Sequence, residues 1–562
     1  MKSISIGTQS GWLLFLAVLV LALASQVRAG EAWDDQSDTW VATDARGREI
    51  AAFEQTGTPR TNRTVAMFYF LWLESRWPGP FDVSKILAQD PAAMSKPDSP
   101  LWGPVHSPHH WGESVFGYYI GDDESVLRKH AQMLGDAGVD VIIFDTSNKV
   151  TYRENYLKLF AVFEQMRRAG NRVPQVAFLA PFGDPRSTVN ELYTQIYAAN
   201  LYPDLWFQWE GKPLILADPA QVDELPRGFF SFRKPQPDYF QGPTAPDMWS
   251  WLEVFPQHVF TNSGGEKEQM SVGVAQNAVG NRLGSMSESG ARGRGFHGGN
   301  YGEQWRRALS EDPQVIFITG WNEWIAGRFP EFNGIKEPVM FVDEFNQENS
   351  RDIEPMKGGH GDAYYYETVD FIRRYKGARP LPAVSPAPIV VDGKFDDWKN
   401  VTPEYRDTIG DPVHRNHPGW GQAGPYINDS GRNDIVAAKV SCDQEHVYFY
   451  VRTKDPLTPA TGTNWMVLLI DTDTNPATGW LGYDLIVRPG VPPQVPFRAT
   501  GNELELALPR SRVGQTFDFK WTDNIALGGS ASVFTTDGDA APNDRFNYRA
   551  KLPAANPGVL SR

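Results

Sequence analysis

The sequence predicts an α/β fold in which a (β/α)8 barrel of the TIM type precedes an antiparallel β-sandwich domain. Apolar runs rich in β-branched residues recur before residue 320 without the alternation of a half-exposed strand, which is typical of parallel strands buried on both faces. Stretches with helical spacing of apolar residues separate these runs. About eight strands can be counted, and this number favours a closed barrel over an open doubly wound sheet.

The strands and helices of the barrel are expected in the following order. Strands should form at residues 65–72, 139–145, 175–181, 213–218, 229–232, 249–254, 271–276 and 315–318. Helices should form at residues 122–134, 152–169, 188–200, 303–309 and 364–375. No G-x-G-x-x-G or Walker-type loop follows any of these strands, so the sequence shows no cradle for a nucleotide.

Closely spaced prolines mark the boundary between the two predicted domains. Pro380, Pro382, Pro386 and Pro388 favour extended chain over helix or strand, which is typical of a linker. The predicted regions are a barrel (residues 30–380), a Pro-rich linker (381–389) and a β-sandwich (390–562).

The start of the sequence has the pattern of a secretory signal peptide, residues 1–29. Lys2 precedes an apolar run at residues 12–24, and Val27-Arg28-Ala29 places small or tolerated residues at the usual cleavage positions. The run is too short for a comfortable membrane span and no other stretch approaches one. We therefore expect a secreted or periplasmic protein with no membrane span in the mature chain. Cys442 is the single cysteine, which excludes an intrachain disulfide.

Composition and charge narrow the class of partner. The 562 residues carry 53 Lys and Arg against 68 Asp and Glu, a formal charge of −15, without a basic run that could follow a phosphate backbone. We therefore expect no nucleic-acid partner. The 19 Trp, 20 Tyr and 32 Phe favour a ligand with stackable faces, although a large core also uses aromatic residues.

The strand at residues 315–318 leads into the stretch Trp321-Asn322-Glu323-Trp324. Active sites of parallel barrels gather at the C-terminal ends of the strands. Sugars are bound by flat apolar faces and cleaved with the help of an acid, so an acid between two indoles suits that chemistry. We expect Glu323 to be catalytic, and Trp321, Asn322, Trp324 and Trp72 to bind substrate. The alternative is a Glu that caps the next helix, with the indoles in the core.

A Gly- and Arg-rich loop spans residues 284–302. Because Gly leaves no side chain in the way, such a loop can approach a ligand closely, and Arg294 and His297 are candidates to contact substrate. The alternative is a surface loop without a ligand. The His-rich segment at residues 78–119 lacks the helical i, i+4 pairing of a metal site, so we expect no metal there.

The region after the linker changes to short alternating strands, expected at residues 435–440, 447–451, 465–470, 483–487, 504–508 and 517–521. Between two of these strands, Asp471, Asp473 and Asn475 place oxygen atoms at alternate positions, which suits a structural Ca²⁺ ion. The run lacks the Gly and the distal Glu of an EF-hand loop, so an Asp- and Asn-rich turn without an ion is the alternative. No other cofactor is expected.

The motif Ile318-Thr319-Gly320-Trp321-Asn322-Glu323-Trp324, followed by Ile353-Glu354-Pro355 and a Tyr-rich helix, resembles the endo-α-mannosidase-like glycoside hydrolases of family ninety-nine. The resemblance spans residues 65–376 in element order, with specific matches in a few short motifs. It implies a (β/α) barrel that acts on α-linked glycans. It also implies that Glu323 matches the first family carboxylate and Glu354 the carboxylate of the Ile-Glu-Pro motif.

The sequence departs from this family at the position of the second carboxylate, which is Ala326. Alanine cannot supply a general acid, so neither the family mechanism nor its mannose specificity carries over as a whole. Candidates for the missing acid are Glu354, Glu331, Glu348 and Asp145. We favour Asp145 and Glu354, because a barrel brings different strand ends and loops around one mouth.

The C-terminal region resembles the family-nine-like carbohydrate-binding modules, which are β-sandwiches. The matching motifs lie, in order, at residues 391–398, 471–484 and 501–506. This resemblance implies a glycan-binding role, for which Trp420, Trp465 and Trp480 are candidates to stack on sugar.

Together these observations predict an exported glycoside hydrolase that cleaves O-glycosyl bonds in a polysaccharide with paired carboxylates at the barrel mouth. One carboxyl would protonate the leaving oxygen and the other would act as base or nucleophile. The sandwich would hold the polysaccharide or oligosaccharide substrate. The alternatives are a non-catalytic glycan-binding or surface scaffold protein and, less in keeping with export, a glycosyl transferase.

Overall fold

The computed structural model describes residues 33–74, 77–275, 299–331, 338–341, 347 and 350–554. The predicted signal peptide, Arg294, His297 and Glu348 lie outside these residues. No helix within the described ranges is long and apolar enough to cross a membrane.

The part of the chain before residue 381 alternates strands with helices. Its strands are β1 (Thr64–Tyr69), β2 (Pro108–His110), β3 (Val141–Asp145), β4 (Gln175–Leu179), β5 (Gln208–Trp209), β6 (Lys212–Leu216), β7 (Ser231–Pro235), β8 (Met248–Trp249), β9 (Phe260–Thr261), β10 (Lys267–Gly273), β11 (Val315–Thr319), β12 (Ile325–Phe329) and β13 (Met340–Phe341). Its helices are α1 (Phe53–Thr56), α2 (Val83–Gln89), α3 (Glu124–Ala137), α4 (Arg153–Arg168), α5 (Arg186–Leu192), α6 (Glu224–Phe229), α7 (Asn300–Glu311) and α8 (Ala363–Lys376).

Eight strands of this part form a parallel sheet in the order β8-β7-β6-β4-β3-β1-β11-β10, and β9 adds an antiparallel edge to β10. The two ends of the sheet approach each other, because the Ser250 N–H, just after β8, donates to Gln269 Oε1 of β10 at 3.0 Å. Phe68 of β1 also contacts Trp251 across the interior, with ring centroids 5.1 Å apart. The predicted α/β class is therefore confirmed, with a nearly closed, barrel-like sheet.

Side chains of this sheet alternate between two apolar clusters, as the period of a strand requires. Ala66 and Phe68 pack in an inner cluster with Val141, Ile143 and Phe317. The alternate residues of the same strands pack in the outer cluster with the helices. Strands buried on both faces explain the continuous apolar runs of the sequence.

Several element boundaries differ from the prediction. β1 ends at Tyr69 and not at residue 72, because the side-chain amide of Asn322 takes up the backbone N–H and C=O of Phe70 at 2.9 and 3.1 Å. The strand predicted at residues 249–254 is reduced to β8, after which the chain leaves the sheet. The helix predicted at residues 188–200 begins as α5 and continues as a π-helical segment over Tyr193–Tyr197.

The C-terminal part consists of antiparallel strands and one short helix. The strands are β14 (Glu404–Arg406), β15 (Arg415–Pro418), β16 (Pro425–Asn428), β17 (Ile435–Cys442), β18 (His446–Thr453), β19 (Val467–Asp471), β20 (Leu485–Val487), β21 (Phe497–Thr500), β22 (Glu503–Pro509), β23 (Thr516–Asp523), β24 (Asp539–Ala541) and β25 (Tyr548–Lys551), and the helix is α9 (Val533–Thr536). One sheet has the order β14-β17-β18-β22-β21, and the other has β20-β19-β23-β24 with β25 also on β23. Phe449 of the first sheet contacts Phe519 of the second at 5.8 Å, so the sheets pack face to face.

The C-terminal part packs closely on the N-terminal part. Arg415 forms an ion pair with Asp123 at 2.7 Å, and the Trp420 N–H donates to the Tyr118 carbonyl at 2.7 Å. The Pro-rich segment 381–389 contains no helix or strand, but it is not a free linker, because its Ile389 is 5% exposed and Ser441 Oγ donates to the Ala387 carbonyl. All residues from Asp35 onward belong to one compact unit.

Candidate active site

Glu323 lies just beyond the C-terminal end of β11, where the backbone leaves the sheet and is held by its neighbours. The Trp321 N–H donates to the Phe68 carbonyl at 2.9 Å, and the Asn322 amide pairs with the backbone of Phe70. These bonds connect the end of β11 to the end of β1. Glu323 therefore has a fixed position at the edge of the sheet where parallel barrels carry their chemistry.

The Glu323 carboxylate forms a buried ion pair with Arg351. Arg351 Nη2 lies 2.8 Å from Glu323 Oε2, and the two side chains are 0% and 3% exposed. An adjacent guanidinium favours the ionised form of a carboxylate. The pair thus fixes the orientation of Glu323.

A second acid, Asp352, supports the backbone of Glu323. Asp352 Oδ1 accepts the Glu323 N–H, and Asp352 Oδ2 accepts the indole N–H of Trp111 at 2.7 Å. Burial, together with the nearby charge of Glu323, raises the pKa of Asp352 well above its ordinary value. With both oxygens engaged, Asp352 acts as a positioning residue for Glu323.

Asp145, the predicted partner of Glu323, is the last residue of β3 and lies at the same edge of the sheet. It follows Phe144, which pairs with Tyr69, so Asp145 lies beside Phe70 on the side opposite Asn322. β3 and β11 both border β1, which places their backbones about 10 Å apart. Period-two alternation places the Asp145 side chain on the inner face, with Val141 and Ile143. The fold therefore places Asp145 and Glu323 at the same edge of the sheet, after strands that both border β1.

Glu354, the other predicted partner, is fully buried in a polar cluster. Its oxygens accept hydrogen bonds from Ser114 Oγ at 2.6 Å, Tyr119 Oη at 2.8 Å and Trp324 Nε1 at 2.5 Å. His130 Nε2 lies 3.3 Å away. A carboxylate with 0% exposure and this many partners has no open face for a substrate. We interpret Glu354 as a positioning residue and not as the catalytic acid that the sequence suggested.

Ala326 lies within an apolar cluster. It belongs to β12, opposite His109 of β2, and packs with Trp102 and Phe341. A carboxylate could not replace it there without burying a charge among apolar groups. Glu331, a further candidate, is exposed beyond the end of β12.

The aromatic residues predicted to bind sugar at the barrel mouth are mostly core residues. Trp321 and Trp324 are 0% and 1% exposed, and Trp324 stacks on Trp111 with ring centroids 4.7 Å apart. Neither indole offers a face to a ligand, which corrects the prediction for both. Asn322 is likewise buried, with its amide committed to the backbone of Phe70. Trp72 is half-buried and stacks on Phe70 at 5.0 Å, which leaves it as the predicted barrel residue that can still contact a ligand.

Sequence reasoning missed Glu253, a carboxyl that follows β8. Glu253 is fully buried, and its oxygens accept the backbone N–H of His258 at 2.7 Å and contact His258 Nδ1 at 3.0 Å. Burial raises the pKa of Glu253 to about 8. A carboxyl that is neutral at neutral pH is what a general acid requires. Its place at a strand end was the available signal, whereas its burial leaves no signal in the local sequence.

In the C-terminal part, the three tryptophans predicted to stack on sugar differ in exposure. Trp465 is 4% exposed and its indole N–H donates to the Thr458 carbonyl at 2.9 Å. Trp420 is fully buried against the N-terminal part. Trp480 is half-buried and donates to the Gly529 carbonyl at 3.1 Å. Trp480 is thus the one of the three that retains an accessible ring face, and Trp420 and Trp465 are core residues.

The residues predicted to hold Ca²⁺ form part of an acidic turn. Carboxylate oxygens of Asp471, Asp473 and Asp484 lie within 4.8 Å of one another. Burial, with the charge of Asp518, raises the pKa of Asp471 to about 7. The Asn475 amide oxygen accepts the Ala477 N–H at 3.1 Å, as in an Asx turn. Asp484 thus joins the cluster, and Ca²⁺ binding there stays a prediction.

Comparisons with known proteins place this chain in no family. No family model and no curated protein matches it. Two solved structures of the GH99 endo-alpha-mannosidase from Bacteroides thetaiotaomicron are similar to 56% of this chain. The one in complex with Bis-Tris propane is 14% identical over 97% of its own length, and the other 15% identical over 98%; both have a TM-score of 0.34. Similarity at this level decides neither fold nor function.

Proposed function

We propose that this protein is a glycoside hydrolase that cleaves O-glycosyl bonds in a polysaccharide with carboxylates at the mouth of a (β/α)8 barrel. The observation that carries the proposal is the Glu323–Arg351 ion pair at the C-terminal edge of the parallel sheet, with Asp145 on the other side of β1. This reaction requires two carboxyl groups, one on each side of the bond that is cleaved.

In the proposal, the role of each carboxyl group follows from the residues around it. Glu323, which is paired with the Arg351 guanidinium, is proposed as the base or nucleophile. The proton for the leaving oxygen must then come from a neutral carboxyl. Asp145 is the candidate because of its place beside Phe70. Glu253 has a raised pKa but is as fully buried as Glu354, so it is not assigned this role.

Export and glycan binding complete the proposal. The signal-peptide pattern at residues 1–29 supports a secreted or periplasmic protein. The sandwich would retain the polysaccharide near the barrel, with Trp480 as the stacking residue and a structural Ca²⁺ at Asp471, Asp473 and Asp484. Arg294 and His297 stay candidate substrate contacts on sequence grounds.

A second candidate function is non-catalytic glycan binding. Its supporting observation is the closure of the site around Glu323. Glu354 has no open face, Ala326 lies in an apolar cluster, and the Glu323 side chain itself is 3% exposed. A barrel in which no acid faces Glu323 across the mouth would bind a glycan without cleaving it.

Reducing-sugar release from a panel of plant, fungal and bacterial polysaccharides tests the proposal. The variants Glu323→Gln and Asp145→Asn should each abolish release, whereas the exposed Glu331→Gln serves as the matched control and should retain it. Variants that are still folded at the assay temperature, as judged by circular dichroism, would assign the losses to chemistry. If no polysaccharide is cut but one is retained on an affinity gel, glycan binding without catalysis is the better description.

A further inference from the structure

A second acidic cluster lies where the C-terminal part meets helix α3. It consists of Asp411 in the loop before β15, Asp434 just before β17 and Asp539 at the start of β24. One carboxylate oxygen from each lies within 4.8 Å of the other two. Oxygens bound to a common Ca²⁺ at about 2.4 Å can be at most about 4.8 Å apart, so the spacing fits a shared ion.

Two oxygens of this cluster have no hydrogen-bond partner among the residues that the structure describes. They are Asp411 Oδ1 and Asp434 Oδ1, both shielded from solvent. Asp411 is 2% exposed, so its carboxylate has no water shell in place of a partner. Leaving a buried carboxylate oxygen without a partner is costly, and a bound cation removes that cost.

The other oxygens are anchored by contacts that orient the cluster. Asp411 Oδ2 lies 3.1 Å from Lys129 Nζ, and Asp434 Oδ2 accepts the Gly410 N–H at 2.9 Å. Asp539 Oδ2 accepts the Ile435 N–H at 2.6 Å. These contacts hold one oxygen of Asp411 and one oxygen of Asp434. The other oxygen of each carboxylate, which has no partner, is left to bind a shared ion.

The charge around the cluster is unbalanced. Asp407, which interacts electrostatically with Asp411 and Asp539, and Asp544, which interacts with Asp411, are also buried. Lys129 Nζ lies 3.1 Å from Asp411, Lys454 Nζ lies 3.6 Å from Asp434, and the buried Lys520 is a third cation, against five carboxyl groups. Carboxylates therefore outnumber the cations available to neutralise them.

We propose that Asp411, Asp434 and Asp539 bind a hard divalent cation, with Ca²⁺ the best fit, in a site separate from the Asp471 turn. Carboxylate oxygens are the ligands that such ions prefer. A cavity of about 380 Å³, lined in part by Lys129, Asp411 and Asp537, provides an entry path and room for water ligands. The ion would join strands of both sheets, β17 and β24, to the loop that contacts α3.

The test compares the full chain after EDTA treatment with the same chain after addition of 1 mM Ca²⁺. Binding to the folded state should raise the melting temperature by on the order of 5 °C. Asp434→Asn, which keeps the side-chain shape, should reduce this shift and remove one bound Ca²⁺ in equilibrium dialysis. Asp396→Asn, whose side chain is 82% exposed and lies in neither acidic cluster, is the matched control and should bind as much Ca²⁺ as the wild-type chain.

No bound Ca²⁺ in the wild-type chain would overturn the proposal, as would an Asp434→Asn variant that binds as many Ca²⁺ ions as the wild-type chain. If Asp434→Asn does not fold, anomalous scattering from wild-type crystals grown with Mn²⁺ provides the test. A peak between the three carboxylates supports the site, and a peak only at Asp471 overturns it. Both readouts are independent of any hydrolase activity.

Discussion

Removal of Arg351 should destabilise the fold strongly, because it leaves the buried Glu323 carboxylate without its partner. In the native structure Arg351 and Glu323 are 0% and 3% exposed and 2.8 Å apart. Breaking such a pair by deleting one member costs about 3–5 kcal/mol. We therefore expect Arg351→Met to lower the free energy of unfolding by that amount.

The double variant Arg351→Met/Glu323→Gln should be more stable than Arg351→Met alone. The introduced glutamine amide is neutral, so no charge is stranded in the core, and the cost reduces to imperfect packing and hydrogen bonding. The two substitutions should therefore be non-additive, with a coupling on the order of 2 kcal/mol. The exposed pair Lys399 and Asp396, with side chains 73% and 82% exposed, is the control and should show no measurable coupling.

Urea unfolding of the four proteins of the cycle, followed by tryptophan fluorescence, measures this coupling. Unfolding free energies that add within about 0.5 kcal/mol would refute the reasoning, because they would mean that the two groups do not interact in the native state. A double variant less stable than both single variants would do the same. The result does not depend on any substrate.

Three further predictions concern other carboxyl and indole groups. Glu253 has a pKa raised to about 8, so the folded state holds its proton more tightly and loses stability as pH rises from about 4.5 to about 8. Glu253→Gln should remove this loss, with a gain on the order of 4 kcal/mol above pH 8 and little change at pH 4, in urea titrations at both pH values. Glu354→Gln should lower the free energy of unfolding by about 2–4 kcal/mol, because one of the groups that donate to the Glu354 carboxylate would lose its acceptor. The folded fraction of this variant should keep its activity. Inactivation without loss of stability would restore the catalytic assignment of Glu354. Trp465→Ala should lower the free energy of unfolding by about 3–5 kcal/mol, because it removes a core indole. Trp480→Ala should weaken retention of the protein on a glycan affinity gel, with a smaller change in melting temperature. The reverse pattern would exchange the roles of the two residues.

The fold is predictable where local pattern and burial coincide. Buried parallel strands leave continuous apolar runs, so β3 and β11 lie within a few residues of their predicted bounds. Helix α3 is predicted from its spacing and its cap, and it begins after Asp123, whose side chain accepts the Ser125 N–H. The helix ends where Gly138 adopts a left-handed conformation, which needs no tertiary contact to be foreseen.

The candidate site is predictable in position and not in detail. A strand-end acid can be found from the sequence, but Arg351 lies in a polar stretch 28 positions further along the chain and no spacing connects it with Glu323. Trp321 and Trp324 show that the sequence cannot distinguish a core tryptophan from one that stacks on a sugar, because both can stand among the same sequence neighbours. Burial decides between them, and burial is a tertiary property.

The segment 351–354 explains why the motif around Glu354 accompanies the motif around Glu323. Its backbone runs beside residues 320–321, with the Gly320 N–H donating to the Arg351 carbonyl and the Glu354 N–H to the Trp321 carbonyl. Successive side chains then serve one purpose, because Arg351 pairs with the Glu323 carboxylate and Asp352 accepts the Glu323 N–H. The segment therefore holds the Glu323 carboxylate in place, and a substrate cannot reach Glu323 through this segment.

The same packing limits where a second catalytic carboxyl could lie. The segment 351–354 occupies one side of Glu323, and β12, which follows Trp324, pairs with β2 and packs in the apolar cluster around Ala326. The interior face of the sheet is the remaining place, and there Asp145 ends β3. Loss of activity in Asp145→Asn, with Glu323 intact, would separate a hydrolase with a relocated acid from a barrel that only binds.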